Sequence, residues 1–207
     1  MRTLRDDQAD TLARLRADAE KLERRRRQKR EYNHRRAGVK VYPELTPDRL
    51  KAFLRYDAFT GNWTWLVQPR KGINIGDVAG RLNATHGRWE VGIDGRRYSA
   101  SRLAWFYMTG AWPEREVDHK DANSLNNKWK NLRIATRGQN EANKGLTRRN
   151  TSGFKGVSWD RSRQLWKAQI GCGGRPRLIG RFKSPEEAHA AYAVELQRFY
   201  GQFARLA

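Results

Sequence analysis

Cysteine is almost absent from this chain: of 207 residues only Cys172 carries a thiol. No intrachain disulfide can form, which fits a reducing compartment. Zinc sites built from four cysteines, or from two cysteines and two histidines, are excluded as well. Long apolar runs are missing too. No stretch of about 18 apolar residues occurs, so no transmembrane helix is expected. Met1–Arg5 leads into no apolar h-region, so no signal peptide is expected. Acidic residues are scarce: 22 Asp+Glu stand against 43 Lys+Arg, for a formal net charge of +21 and a pI near 10.9. Such a field attracts polyanions, nucleic acid first. A basic membrane-surface protein would need a long amphipathic helix with a large apolar face. Only the first few dozen residues could serve, and their apolar face is thin. Eight tryptophans in so polar a chain point to several small cores.

Residues 1–40 form a basic arm, helical or partly disordered, that ends in the run Arg24–Arg30. Leu12, Leu15, Ala19 and Leu22 recur at helical steps, but the stripe is too short for a coiled coil. Thr46-Pro47-Asp48 reads as an N-cap followed by proline at the first helical position, with LKAFLRYD as a short helix. NWTWLV alternates like a strand, and GDVAGRL reads as a turn and strand. RWEVGI and RRYSA flank Asp94-Gly95, a hairpin signal suited to a type I′ turn. SRLAWFYMTG is a helix closing at Gly110. Residues 146–152 are a polar linker that makes the flanking parts separable. Beyond it FKGVSWDR, QLWKAQIGC and RPRLIGRFKS read as three strands. Ser184-Pro185-Glu186-Glu187 then starts an alanine-rich helix, completing a small α+β module at 153–207.

The stretch VDHKDANSLNNKWKNLRIATRGQNEANK carries the chemistry. Asp118 supplies a hard oxygen donor beside the nitrogen base His119. Asn131 lies 12 residues after His119, and Asn140 nine after Asn131. NLRIAT reads as a strand and RGQNEANK as a helix start, so two strands and a helix can hold one divalent ion and one histidine against a phosphodiester. A histidine poised near neutral pH can take a proton from attacking water. Asp118 and the Asn140 carbonyl suit an oxygen-loving ion such as Mg²⁺ or Mn²⁺, and Asn131 is placed to fix the ring of His119. A strand presents Asp118 and His119 to opposite faces, so a bulge or strand end must re-aim one of them. The bland alternative is a turn, because DANSLNN is rich in ordinary turn residues. His34, His86 and His189 read as surface or packing residues.

The same stretch closely resembles the HNH endonuclease motif of phage and intron homing enzymes, and the lead-in from GDVAG to WPE resembles theirs as well; the likeness covers roughly residues 50–145. It implies a ββα-metal (His-Me finger) core at 45–145, with Asp118 and Asn140 as metal ligands, His119 as general base and Asn131 as the residue that orients it. Ser101 departs from the histidine that relatives carry before Arg-Leu-Ala-Trp.

Residues 153–207 resemble the Apetala2-type DNA-binding domain of plant ethylene-response factors, through FKGV, WKAQI, IGRF and PEEAHAAY. That likeness implies a three-stranded antiparallel sheet with one packed helix, laid in the major groove of double-stranded DNA. Lys155, Arg161, Arg163, Gln169 and Arg177 become the DNA-facing side chains. Arg175 and Arg177 are expected on one side of their strand and Pro176 on the other. Trp166, Ile170, Phe182, Ala188 and Tyr192 are expected in the core. Ser158 and Ile179 depart from the plant pattern, so base preference does not transfer.

The combined expectation is an α+β protein acting as a metal-dependent DNA endonuclease that nicks or cuts both strands, an HNH homing endonuclease of phage or mobile-element type. Its partner is double-stranded DNA, with no membrane and no small-molecule substrate; the oligomeric state is open, a monomer being favoured, and the expected location is the cytoplasm, that of the host if the chain is phage-encoded. The competing readings are a DNA-binding regulator with an inactive nuclease core and a structural RNA-binding protein.

Overall fold

The computed structural model describes residues 17, 18, 20–22, 24, 25, 28, 44–147, 150–172 and 174–206. The chain divides into two units, Met1–Glu44 and Leu45–Ala207. In the first, the described residues between 17 and 28 are helical and exposed. The rest of the basic arm lies outside the described residues.

In the second unit, Thr46 caps helix α1 (Pro47–Phe53) by accepting from the Arg49 amide at 3.3 Å. The helix stops earlier than its sequence suggests. Leu54 and Tyr56 are buried and Arg55 is exposed, a period of two that suits a strand. They form β1 (Leu54–Tyr56), antiparallel to β2 (Trp63–Trp65), with Leu54 opposite Trp65 and Tyr56 opposite Trp63. Packing of the two tryptophans thus overrides local helix preference. A three-stranded antiparallel sheet follows, in the order β3 (Arg81–Asn83), β4 (Arg88–Ile93), β5 (Arg96–Ser99). Asp94 and Gly95 join β4 to β5 with φ of 51° and 77°, the left-handed pair that a type I′ turn demands. Helix α2 (Ala100–Thr109) ends at Gly110, φ 76°. Leu50, Leu54, Trp63, Val91 and Leu103 are fully buried in one core beneath these elements.

Strands β6 (Glu116–His119) and β7 (Leu132–Ala135) pair antiparallel, with Asp118 opposite Arg133. Helix α3 (Arg137–Asn143) follows through a capping box. Thr136 Oγ1 accepts from the Gln139 amide at 3.2 Å, and Gln139 Oε1 accepts from the Thr136 amide at 2.8 Å.

The C-terminal part is a three-stranded antiparallel sheet ordered β10 (Arg175–Phe182), β9 (Leu165–Cys172), β8 (Val157–Asp160), with a bulge between Leu178 and Gly180. Helix α4 (Pro185–Tyr200) covers one face; its Ser184 cap accepts from the Glu187 amide at 3.2 Å. Val157, Ala168, Ile170, Ala188, Tyr192 and Leu196 form a second core, and Trp166 and Phe182 pack at its edge. The whole is a mixed α/β structure of small antiparallel sheets and helices.

The two cores do not stand apart. Ala142 of α3 is buried in the C-terminal core. Lys155 Nζ donates to the carbonyls of Ala142 (2.6 Å), Lys144 (2.6 Å) and Arg205 (2.8 Å). Burial, with the Arg205 charge second, pulls this ammonium down to about 8. Arg205 Nη1 donates to the Asp121 carbonyl at 2.7 Å. The polar stretch at 146–152 therefore joins two parts that also share an interface.

Candidate active site

Strand β6 ends at His119, where Ala122 adopts φ 60° and its amide closes a turn onto the His119 carbonyl at 2.8 Å. That strand end lets Asp118 and His119 line one cleft although neighbours on a strand face opposite ways. The cleft has a volume of about 170 Å³, and its walls include Ser101, Asp118, His119, Asn140 and Asn143. Asn140 and Asn143 reach it from one side of α3, as residues three apart do.

Asp118 is 3% exposed. Its Oδ2 pairs with Arg133 Nε at 2.8 Å, and Asn143 Nδ2 donates to both carboxylate oxygens at 3.0 and 3.1 Å. The same Asn143 nitrogen reaches the His119 carbonyl at 2.6 Å. Arg133 is held from behind by the Gln202 carbonyl at 2.9 Å and lies over the Phe203 ring at 3.7 Å. Breaking such a buried pair by removing one partner costs about 3–5 kcal/mol, so Asp118 also serves the fold.

His119 Nε2 lies 3.1 Å from Asn127 Oδ1. Asn127 is 4% exposed and points its own Nδ2 at the Leu125 carbonyl at 3.4 Å. With its oxygen accepting from Nε2–H, the imidazole keeps its lone pair on Nδ1. The Tyr56 hydroxyl donates to the Asn127 carbonyl at 2.6 Å, which ties the ring's partner to the first core.

Asn131, expected on the histidine ring, is elsewhere. Its Oδ1 accepts from the Asp121 amide at 3.1 Å, and its Nδ2 donates to Asp121 Oδ1 at 3.0 Å and the Asn126 carbonyl at 2.7 Å. It rivets the 120–131 loop, and Asn127 takes the contact with the ring. Burial works to raise the Asp121 carboxyl, yet hydrogen bonds from Asn123, Asn126 and Asn131 hold it below its ordinary value.

Asn140 donates through Nδ2 to Glu116 Oε2, which leaves its carbonyl oxygen for another partner. Among the described residues no group of three or more His, Cys, Asp or Glu side chains is placed to hold a metal ion. One buried carboxylate and one amide oxygen on the same cleft still suit a hard divalent ion, whose other ligands are commonly water and phosphate oxygens. The donor set fits the ion.

The five C-terminal residues expected to face DNA divide. Arg161 and Arg163 are exposed in the β8–β9 turn. Gln169 lies opposite Leu178, on the sheet face away from the buried Ala168 and Ile170. Lys155 is spent on three carbonyls between α3 and the C-terminal tail, so it is not a DNA-facing group. Arg177 pairs with Ile170 and so shares its face; its guanidinium lies over the Phe199 ring of α4 at 5.3 Å. The alternation of Arg175, Pro176 and Arg177 is as expected, but the arginines stand on the helix side. The outer face carries Lys167 opposite Arg181. Arg181 is bound to Asp160 at 2.9 Å, which pulls that carboxyl down to about 2.

Gly61 tests how tightly the loop is held. Its φ is +80°, and a Cβ there would sit 2.5 Å from the Asn127 carbonyl carbon and 2.6 Å from the Lys128 nitrogen. Gly61→Ala is expected to destabilise the protein by roughly 2–4 kcal/mol, from left-handed strain plus overpacking, and to push Asn127 off the His119 ring. Urea unfolding measures the first effect. An unchanged midpoint would mean the loop yields freely.

Residues 98–142 match the HNH endonuclease family. Protein 3.8 of Escherichia phage T7 is 35% identical over 89 residues, which is 43% of this chain and 73% of that relative. An uncharacterized HNH endonuclease, L560, of Acanthamoeba polyphaga mimivirus is 35% identical over 88 residues, which is 42% of this chain and 44% of that relative. The match thus spans less than half of the mimivirus protein. No solved structure matches. The chain belongs to the HNH endonuclease family. No helix among the described residues is long and apolar enough to cross a membrane.

Proposed function

We propose that this protein is a metal-dependent DNA endonuclease of phage type that hydrolyses phosphodiester bonds, and that β6, β7 and α3 form its ββα-metal core. The observation that carries the reading is the meeting of Asp118, His119 and Asn140 on one cleft. Nδ1 of His119 takes the proton from the attacking water while Nε2–H stays on Asn127. Asn143 and Arg133 fix the Asp118 carboxylate before substrate arrives, so no reorganisation is needed during the reaction. Asp118 and the Asn140 carbonyl would hold Mg²⁺ or Mn²⁺, which when bound would supply stabilisation of the negative charge that builds up during hydrolysis.

Residues 153–207 are proposed to be the Apetala2-type DNA-binding part. Support comes from the three antiparallel strands with one packed helix. Gln169, Arg161 and Arg163 remain its DNA-facing groups. Phosphate contacts from a surface this basic supply most of the affinity and make it salt-sensitive. The phage relative supports a role in a mobile or viral genome and a site of action in the host cytoplasm.

Supercoiled plasmid incubated with the purified protein is expected to be nicked or linearised with Mg²⁺ or Mn²⁺ and left intact in EDTA, with ends that map by sequencing. Equal cutting in EDTA defeats the single-metal mechanism. Binding without any cutting favours the regulator.

A further inference from the structure

Two cations line the candidate cleft, Arg88 and Lys144, and they differ in their commitments. Lys144 Nζ is bound to Glu141 Oε1 at 2.6 Å. Arg88 is exposed at the start of β4, and its guanidinium has no protein partner among the described residues. The hairpin that carries it is braced. Asn83, directly opposite Arg88, accepts from the amides of Thr85 (3.1 Å) and His86 (3.3 Å) and donates to Glu90 at 2.9 Å. The hairpin turn is also fastened to the loop beside His119, because Ser124 Oγ donates to the Gly87 carbonyl at 2.5 Å. Arg88 is thus an uncommitted cation on a rigid support, tied through one hydrogen bond to the loop that holds the histidine's partner. A guanidinium is the group best shaped to grip a phosphate through two parallel hydrogen bonds.

Resting on the nuclease reading above, we infer that Arg88 is a substrate-contacting residue that grips the scissile phosphate across the cleft from Asp118 and His119. The β3–β4 hairpin is then part of the active site, although it lies about 30 positions before the histidine in the chain. The face that carries Arg88 continues along the sheet. Side chains at 88, 90 and 92 share one side of β4, and so do their partners Asn83, Arg81 and Arg97. Gly92 leaves that face open, with only the Arg96 carbonyl, at 3.8 Å, near a Cβ built there. The cut strand leaves the cleft over this face, where Arg81 and Arg97 are both exposed.

The experiment uses the full chain with Arg88→Ala and Arg88→Lys, on a duplex containing the mapped cut site. Because Arg88 is exposed, both variants should keep the wild-type melting temperature, which is measured alongside. Arg88→Ala is expected to slow single-turnover cleavage at saturating protein by on the order of 10², the usual worth of one preorganised donor at developing charge. Arg88→Lys should recover part of the loss, since it keeps the charge without the fork. In EDTA, a neutral methylphosphonate at the cut position should weaken wild-type binding and leave Arg88→Ala unaffected, the non-additivity expected of groups in contact. Cleavage by Arg88→Ala at the wild-type rate overturns the inference and leaves the nuclease reading standing. So does equal sensitivity of both proteins to the methylphosphonate. If wild type binds duplex but cuts with neither metal, the nuclease reading fails alone. Arg88 is then judged by the salt dependence of binding, where loss of one phosphate contact flattens the slope by about one unit. An unchanged slope sinks the inference there too.

Discussion

Replacing His119 with alanine is expected to slow DNA cleavage by a factor on the order of 10²–10⁴, the usual contribution of a positioned general base. The imidazole lines the cleft with Nε2 against Asn127, and the proposed mechanism assigns Nδ1 to the water proton. No phosphate-gripping role falls to it, so duplex affinity in EDTA should stay at the wild-type value. The pair of measurements separates loss of chemistry from loss of binding. The substitution removes no buried charge, and the Asn127 oxygen it leaves can turn to water, so the fold should survive. Wild-type cutting by His119→Ala would take this residue out of the mechanism. Weaker DNA binding in proportion to the lost rate would recast it as a substrate anchor.

Truncation after Lys144 is expected to abolish cutting, not merely to loosen site selection. The polar linker suggests two separable parts, but the packing opposes a clean division. The missing segment contributes Lys155, whose ammonium satisfies the Ala142 and Lys144 carbonyls at the end of α3. It also contributes the Gln202 carbonyl and the Phe203 ring that hold Arg133, the partner of Asp118. The truncation also uncovers the apolar side chain of Ala142 and frees Arg133 from its support, and a small domain has only about 5–15 kcal/mol in hand. Circular dichroism with thermal melting of the 1–144 fragment, beside its plasmid assay, is the measurement. A fragment that melts cooperatively and cuts with Mg²⁺ would show that the nuclease part stands alone.

Much of the architecture was legible in the chain because its local signals agree with its packing. Asp94-Gly95 demanded a type I′ hairpin and made one. The Thr46 and Ser184 caps opened α1 and α4 where their residues predict. Residue type and spacing put Asp118, His119 and Asn140 in one site, and the structure places all three on one cleft. Other assignments were out of reach. The DANSLNN stretch and its surroundings hold Asn123, Asn126, Asn127, Asn131, Asn140 and Asn143. Spacing cannot rank six amides of identical chemistry, and the ring went to Asn127 rather than Asn131. Asn143, which holds the Asp118 carboxylate, had one available signal, its place one turn beyond Asn140 on the same helix.

The same limit explains Lys155 and Arg177. Strand periodicity correctly put Arg175 and Arg177 on one side of β10. Which side faces the helix depends on the pairing of Arg177 with Ile170, a contact between strands. Lys155 reads as one more surface cation until the end of α3 and the C-terminal tail bring three carbonyls around it. Composition, turn chemistry and hydrophobic period act over a few residues, so the chain alone dictated most of its elements and several of their caps, while β1, read as helix, was decided by its pairing with β2. Partner choice is a long-range matter. Only the packed fold brings Arg133 and Asn143, 15 and 25 residues further along the chain, onto Asp118, and sets Arg88 of another sheet on the same cleft.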